Sequence, residues 1–180
     1  MPQMRMLENM IVAFLNTEPT TVCMAEHVAI IRWTRSGESS EFFKGRYSRE
    51  HTWTFDGGLT VPASSAPNVV RPPYSNPANI DPEEAFVAAI ASCHFLTFIW
   101  LAGKEGFQID SYEDRAVGKM ANNERGVPWV SEVILDPTIN FAGDKKPTSA
   151  DLNRLHQAAH EQCFIANSVK SKVTVAGFEH

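Results

Sequence analysis

Cysteine is scarce in this chain: three among 180 residues, an odd number and too few to staple a small scaffold with disulfides. That scarcity points to a reducing compartment, where thiols stay free. An excess of positive charge is missing too. Sixteen Lys and Arg stand against 21 Asp and Glu, a net charge of −5, and no nucleic-acid motif or basic stripe is found, so nucleic acid is not an expected partner. The chain has no internal repeat and no low-complexity tract. The apolar stretch at residues 10–15 is too short for a signal-peptide core, Glu8 precedes it, and no small-residue cleavage site follows. A cytoplasmic protein is the expectation.

What is present fits one soluble domain. Hydrophobic residues make up 43% and charged residues 21%, which suffices for a substantial core. Strand-like patterning begins after Met24, so residues 1–24 read as an extension, with Cys23 exposed and incidental, and residues 25–180 as the domain. The single long apolar run, residues 85–102, reaches the length of a membrane span. It is broken by Ser92, Cys93, His94 and Thr97 and preceded by Asp81, Glu83 and Glu84, without flanking Lys/Arg asymmetry. A helix apolar on nearly every face is also what a fully enclosed central helix looks like. The latter is the expectation, with no membrane as partner.

The local signals outline the order of elements. Residues 27–34 are rich in β-branched and aromatic side chains and predict a strand; residues 38–58 predict further strands closed by the Asp56-Gly57-Gly58 turn. The Pro-rich residues 59–80 predict a long surface connection. Asp81 can cap a helix that Pro82 opens, with Glu83 and Glu84 complementing its dipole. Residues 107–120 and 129–141 predict two long strands joined by a turn at residues 122–126. Thr148 with Asp151 opens a second helix, whose stripe carries Leu152, Leu155, Ala159 and Cys163. A short strand at residues 171–175 closes the chain. This order predicts an α+β fold, an antiparallel sheet packed on two main helices.

The chemistry-bearing candidates are few. Cys93 lies mid-helix among apolar residues, where nothing local activates a thiol and a small buried hydrophobe is the plainer reading. Cys163 faces the core on the second helix; where the two stripes meet, a Cys93 sulfenic acid could be resolved to a disulfide. A cation brought to Cys93 would come from Arg46 or Arg49, with Lys44 and Arg35 weaker candidates. Glu83 precedes Cys93 by ten residues, roughly 15 Å along one helix at ~1.5 Å per residue, so it cannot touch that thiol within its own helix. A competing reading takes His156, His160 and Cys163, at i, i+4 and i+7, as a metal-binding set with His94 as a fourth ligand.

The segments Asp81-Pro82-Glu83-Glu84-Ala85-Phe86 and Ala91-Ser92-Cys93, followed by Ala159-His160-Glu161-Gln162-Cys163 and Asn167, resemble the OsmC/Ohr family of osmotically inducible and organic-hydroperoxide-resistance proteins. The resemblance runs from about residue 27 to 175. It implies an intertwined homodimer with buried central helices and an active site at each of two interface clefts. It implies that Cys93 is the peroxidatic thiol and Cys163 the resolving one, beside an Arg–Glu pair formed by Glu83 with Arg46 or Arg49. The implied activity is reduction of organic hydroperoxides, recycled by an external dithiol such as a lipoyl group, with no metal or organic cofactor. The chain departs from better-known members at His94, where they place an apolar residue, and at Phe164, where many have Pro. A metal-binding protein and a non-enzymatic binding member of the fold are the alternatives.

Overall fold

The computed structural model describes residues 25–178; the expected extension, with Cys23, lies outside them. Three antiparallel strands come first: β1 (Ala29–Arg32), β2 (His51–Phe55) and β3 (Thr60–Ala63), with Ile31 opposite Trp53 and Trp53 opposite Val61. Between β1 and β2, where only strands were expected, stands a five-residue helix, α1 (Ser39–Phe43). Glu38 precedes it in extended backbone, Lys44 bonds Glu41 across its last turn at 2.8 Å, and Gly45 leaves it at φ +74°. Such a short helix has no apolar period to read. The Pro-rich stretch also holds more than a loop. Its first residues form β3, where Pro62 sits on the sheet edge and can do without a ladder donor.

The central helix, α2 (Pro82–Lys104), starts where its caps predict. The Asp81 carboxylate accepts from the Glu84 N–H at 2.8 Å, while the Glu84 carboxylate accepts from the Asp81 N–H at 3.2 Å. After Gly106, at φ +78°, the chain enters β4 (Gln108–Asp114) and β5 (Val117–Asn122), then returns as β6 (Pro128–Leu135) and β7 (Pro137–Ala142). The two long strands predicted here are therefore each bent into two. β4 pairs with β7 and β5 with β6, and the corner is held by the Asp136 N–H donating to Asp114 Oδ1 at 2.8 Å. The second main helix, α3 (Ser149–Gln162), opens on the expected Thr148–Asp151 capping box. Cys163 ends it, a short α4 (Phe164–Asn167) follows, and β8 (Lys172–Val175) adds to β6 in parallel.

The core has two lobes. Ile90 of α2 packs with Val133, Leu135, Val173 and Val175 of the β6–β8 pair. Phe98 and Ala102 pack with Phe107 and with Leu155 and Ala159 of α3. The buried residues of α2 are Ile90, His94, Phe98 and Ala102, one every fourth position, which is a single stripe. The full enclosure expected from the sequence is thus not supplied by one chain. Leu96, for example, is 58% exposed. Length and composition alone would allow α2 to cross a membrane; here it packs against α3, β4 and β5 as the central helix of the α+β fold.

Candidate functional site

Two places in the fold collect the predicted residues. The first is the thiol pair. Cys93 is half-buried on α2, while Cys163 is fully buried at the junction of α3 and α4. Burial, and then the neighbouring Cys93 thiol, push the Cys163 thiol up to about 11. Cys163 is therefore a protonated thiol at neutral pH, within hydrogen-bonding reach of Cys93. Its loop is pinned: the Asn167 side chain donates to the Cys163 and Glu161 carbonyls, both at 2.9 Å, and the Ala166 N–H points at Cys163 Sγ from 3.4 Å. An apolar groove of about 800 Å³ runs between α2 and β4, lined by Phe95, Leu96, Trp100, Tyr112 and Phe164; neither thiol lines it. Burial and the charge of Asp114 keep the Tyr112 hydroxyl well above its usual range, so it stays neutral.

The second place is a cavity of about 460 Å³ under the β1–β3 sheet, which Glu83 lines from the first turn of α2. Arg49 shares it; Arg46 does not. The Arg49 guanidinium donates to the Gly45 and Tyr47 carbonyls at 2.7 and 2.5 Å and lies 3.8 Å from the centre of the Tyr47 ring. Its backbone is tied to the Tyr74 carbonyl at 2.8 Å. Arg46 instead points to Glu41 at 3.5 Å on the surface, where Lys44 binds the same carboxylate, and Arg35 folds back on the Gly37 carbonyl. His51 completes the wall. Its Nε2 accepts from the Trp53 indole at 2.8 Å, so its Nδ1 carries the proton and donates to the Arg49 carbonyl at 2.7 Å. Trp33, Phe42 and Tyr47, with ring centroids 4.7–6.1 Å apart, form the apolar side.

Sequence reasoning passed over Trp33, Tyr47 and His51. The available signal was the aromatic between Arg46 and Arg49, those preceding the segment, and the His-Thr-Trp alternation that follows it. Cys93 does not line this cavity, in keeping with its ten-residue distance from Glu83. Within one chain the two places remain apart.

The metal-binding set does not assemble. Among the described residues, no three His, Cys, Asp or Glu side chains are grouped to hold an ion. His156 turns instead to His94 of α2, ring nitrogen to ring nitrogen at 3.0 Å.

Known proteins carry the same architecture. An OsmC-like protein of unknown function from Vibrio cholerae is 49% identical, over 84% of this chain and 98% of its own, with a TM-score of 0.81. An organic hydroperoxide resistance protein from Elizabethkingia anophelis is 19% identical over 86% of this chain and 98% of its own, at TM-score 0.61. OhrB, the organic hydroperoxide resistance protein of Bacillus subtilis, is 21% identical over 82% and 94%, at TM-score 0.53. No curated protein sequence matches. The OsmC-like protein family profile matches residues 75–176, more than half of the chain, including α2 with Cys93 and α3 with Cys163. This chain belongs to the OsmC-like protein family.

Proposed function

We propose that this protein is a cysteine-based peroxidase that reduces organic hydroperoxides to alcohols and works as a homodimer. The observation that carries the reading is the buried Cys163 thiol lying against Cys93. In this reading the Cys93 thiolate attacks the distal peroxide oxygen, the O–O bond breaks, and the alkoxide leaves and takes a proton to become the alcohol. Cys93 is then a sulfenic acid. The Cys163 sulfur attacks it, and its proton departs with the hydroxide as water, leaving a Cys93–Cys163 disulfide. An external dithiol returns both thiols by exchange and is itself oxidised to a disulfide. The cycle uses no metal or organic cofactor, and free thiols suit a cytoplasmic setting.

The second copy supplies what one chain lacks. The thiolate needs a nearby cation, and Arg49 with Glu83 sits in a cavity that Cys93 of the same chain does not line. The α2 helix fully buries only one stripe, and Leu96 stands 58% exposed. A partner chain laid along α2 would cover that surface and bring its own Arg49–Glu83 cavity to Cys93. The apolar groove lined by Phe164, the neighbour of Cys163 in sequence, supports a peroxide with a hydrocarbon group over hydrogen peroxide.

Intact mass after a brief exposure of the reduced protein to near-stoichiometric organic hydroperoxide tests this directly. Wild type is expected to lose two hydrogens, Cys163→Ser to gain one oxygen, and Cys93→Ser to stay unchanged. Wild type that stays reduced while the peroxide persists would sink the reading and leave a non-enzymatic member of the fold.

A further inference from the structure

We propose that His51 is the positioning residue of the Arg49–Glu83 cavity: its ring, fixed in one tautomer by Trp53, holds the Arg49 carbonyl and so aims the arginine. The inference rests on the reading above, in which Arg49 serves the Cys93 thiol of a second copy. Strand alternation brings the three groups together. Arg49, His51 and Trp53 are every second residue, and β2 begins at His51. His51 and Trp53 therefore share one face of the strand, with ring centroids 6.1 Å apart. The His51 ring reaches back two residues, to the main chain of Arg49. Glu50, between them, is spent elsewhere: its carboxylate accepts from the Asn76 and Asn79 side chains at 2.9 and 3.3 Å.

Donors and acceptors fix the tautomer. An indole nitrogen can only donate, so the Trp53 N–H at 2.8 Å makes His51 Nε2 an acceptor. The ring proton then sits on Nδ1 and goes to the Arg49 carbonyl at 2.7 Å. The other tautomer would set two donors against each other at Trp53 and two acceptors at Arg49. Both ring nitrogens are committed, so His51 is not placed to carry protons for the reaction. It lines the cavity with Arg49 and Glu83 and acts through Arg49.

Other contacts hold the same segment, and they set the size of the effect. The Arg49 N–H donates to the Tyr74 carbonyl at 2.8 Å, and the Trp33 indole donates to the Ser48 carbonyl at 2.9 Å. The guanidinium bends back on the Gly45 and Tyr47 carbonyls of its own segment. Of these contacts, only the His51 bond bears on the Arg49–Glu50 peptide and fixes which way it faces. A peptide that turns re-aims the side chain before it. A misplacement of about 1 Å at a reacting centre can cost roughly 100-fold. With the Tyr74 and Trp33 bonds still in place the drift is smaller, and about a tenfold loss is expected.

The test is alkylation of Cys93 by iodoacetamide in the reduced full chain, followed on the Cys93 peptide by mass. The thiolate displaces iodide and a thioether forms, so no peroxide is needed. His51→Asn puts an amide N–H where Nδ1–H stood, whereas the amide of His51→Gln reaches only the Nε2 position. At pH 7, His51→Asn should stay within about threefold of wild type, His51→Gln should be about tenfold slower, and Arg49→Met slower still. The differences should narrow toward pH 9.5, where alkali ionises the thiol with or without a cation. Equal rates for His51→Asn and His51→Gln overturn the proposal, because the ring would then be packing alone. A His51→Gln deficit that persists undiminished at pH 9.5 overturns it too, since lost access rather than lost charge would be the cause. Arg49→Met separates the two readings. If it is slow while His51→Gln is fast, only the role of His51 fails; if it alkylates like wild type, the Arg49 reading fails and the proposal with it. Urea midpoints are measured alongside, and His51→Ala replaces His51→Gln should the latter prove unfolded.

Discussion

Mixed with an equal amount of Cys93→Ser protein, Arg49→Met protein is expected to recover about a quarter of wild-type peroxide consumption, although each alone is nearly inactive. Arg49→Met should lose about 100-fold, the scale of removing one preorganised charge from a reacting centre. Recovery follows from the separation of the two places in the fold. If Arg49 and Glu83 of one copy serve Cys93 of the other, a hybrid dimer joins an intact Cys93 to an intact Arg49 at one of its two sites. Random exchange makes about half of the dimers hybrids, and half of their sites complete. Sites built within one chain would recover nothing, because both chains of the hybrid would still be defective. Arg46→Met is the companion measurement. Its guanidinium is spent on Glu41 at the surface, so activity should stay within about twofold of wild type; a loss equal to that of Arg49→Met would reverse the assignment.

Phe98→Ala should cost about 3–5 kcal/mol of stability, the largest loss expected from any single core truncation here. Phe98 is fully buried, shares a cluster with Ala102, Phe107, Leu155 and Ala159, and is in ring contact with Tyr112, His94 and His156. Its removal opens a void between α2 and α3 that the flanking backbone cannot close. Urea unfolding should show a lower midpoint with little change in slope, and the melting temperature should fall by about 10 °C. Leu96→Ala, two residues earlier and on a different face of α2, separates core from interface. In an isolated chain its 58% exposure predicts a cost within about 0.5 kcal/mol. Should a second copy cover that face, the loss would be larger and the midpoint would rise with protein concentration.

Much of the fold was legible because its signals are local. The Asp81-Pro82-Glu83-Glu84 start of α2 and the Thr148–Asp151 start of α3 each depend on residues within one turn, and both caps formed as read. Strand alternation and the turn before Gly126 were readable for the same reason. Where the signal was short or masked, the reading failed. The α1 helix is too brief to show a period, Pro62 hid β3 at a sheet edge, and one pattern ran unbroken across the bends that divide β4 from β5 and β6 from β7.

By itself the sequence determined the two main helices and their starts, the α+β class, the family and the candidate thiols, since caps, periods and the Glu83–Cys93–Cys163 spacing are properties of neighbours along the chain. The tertiary structure alone decided which of two arginines three residues apart faces the Glu83 cavity. It also decided that only one stripe of α2 is fully buried, and that His94 meets His156 across 62 residues of sequence. Those outcomes depend on how helices and sheet pack together, and no pattern within a single element carries that information.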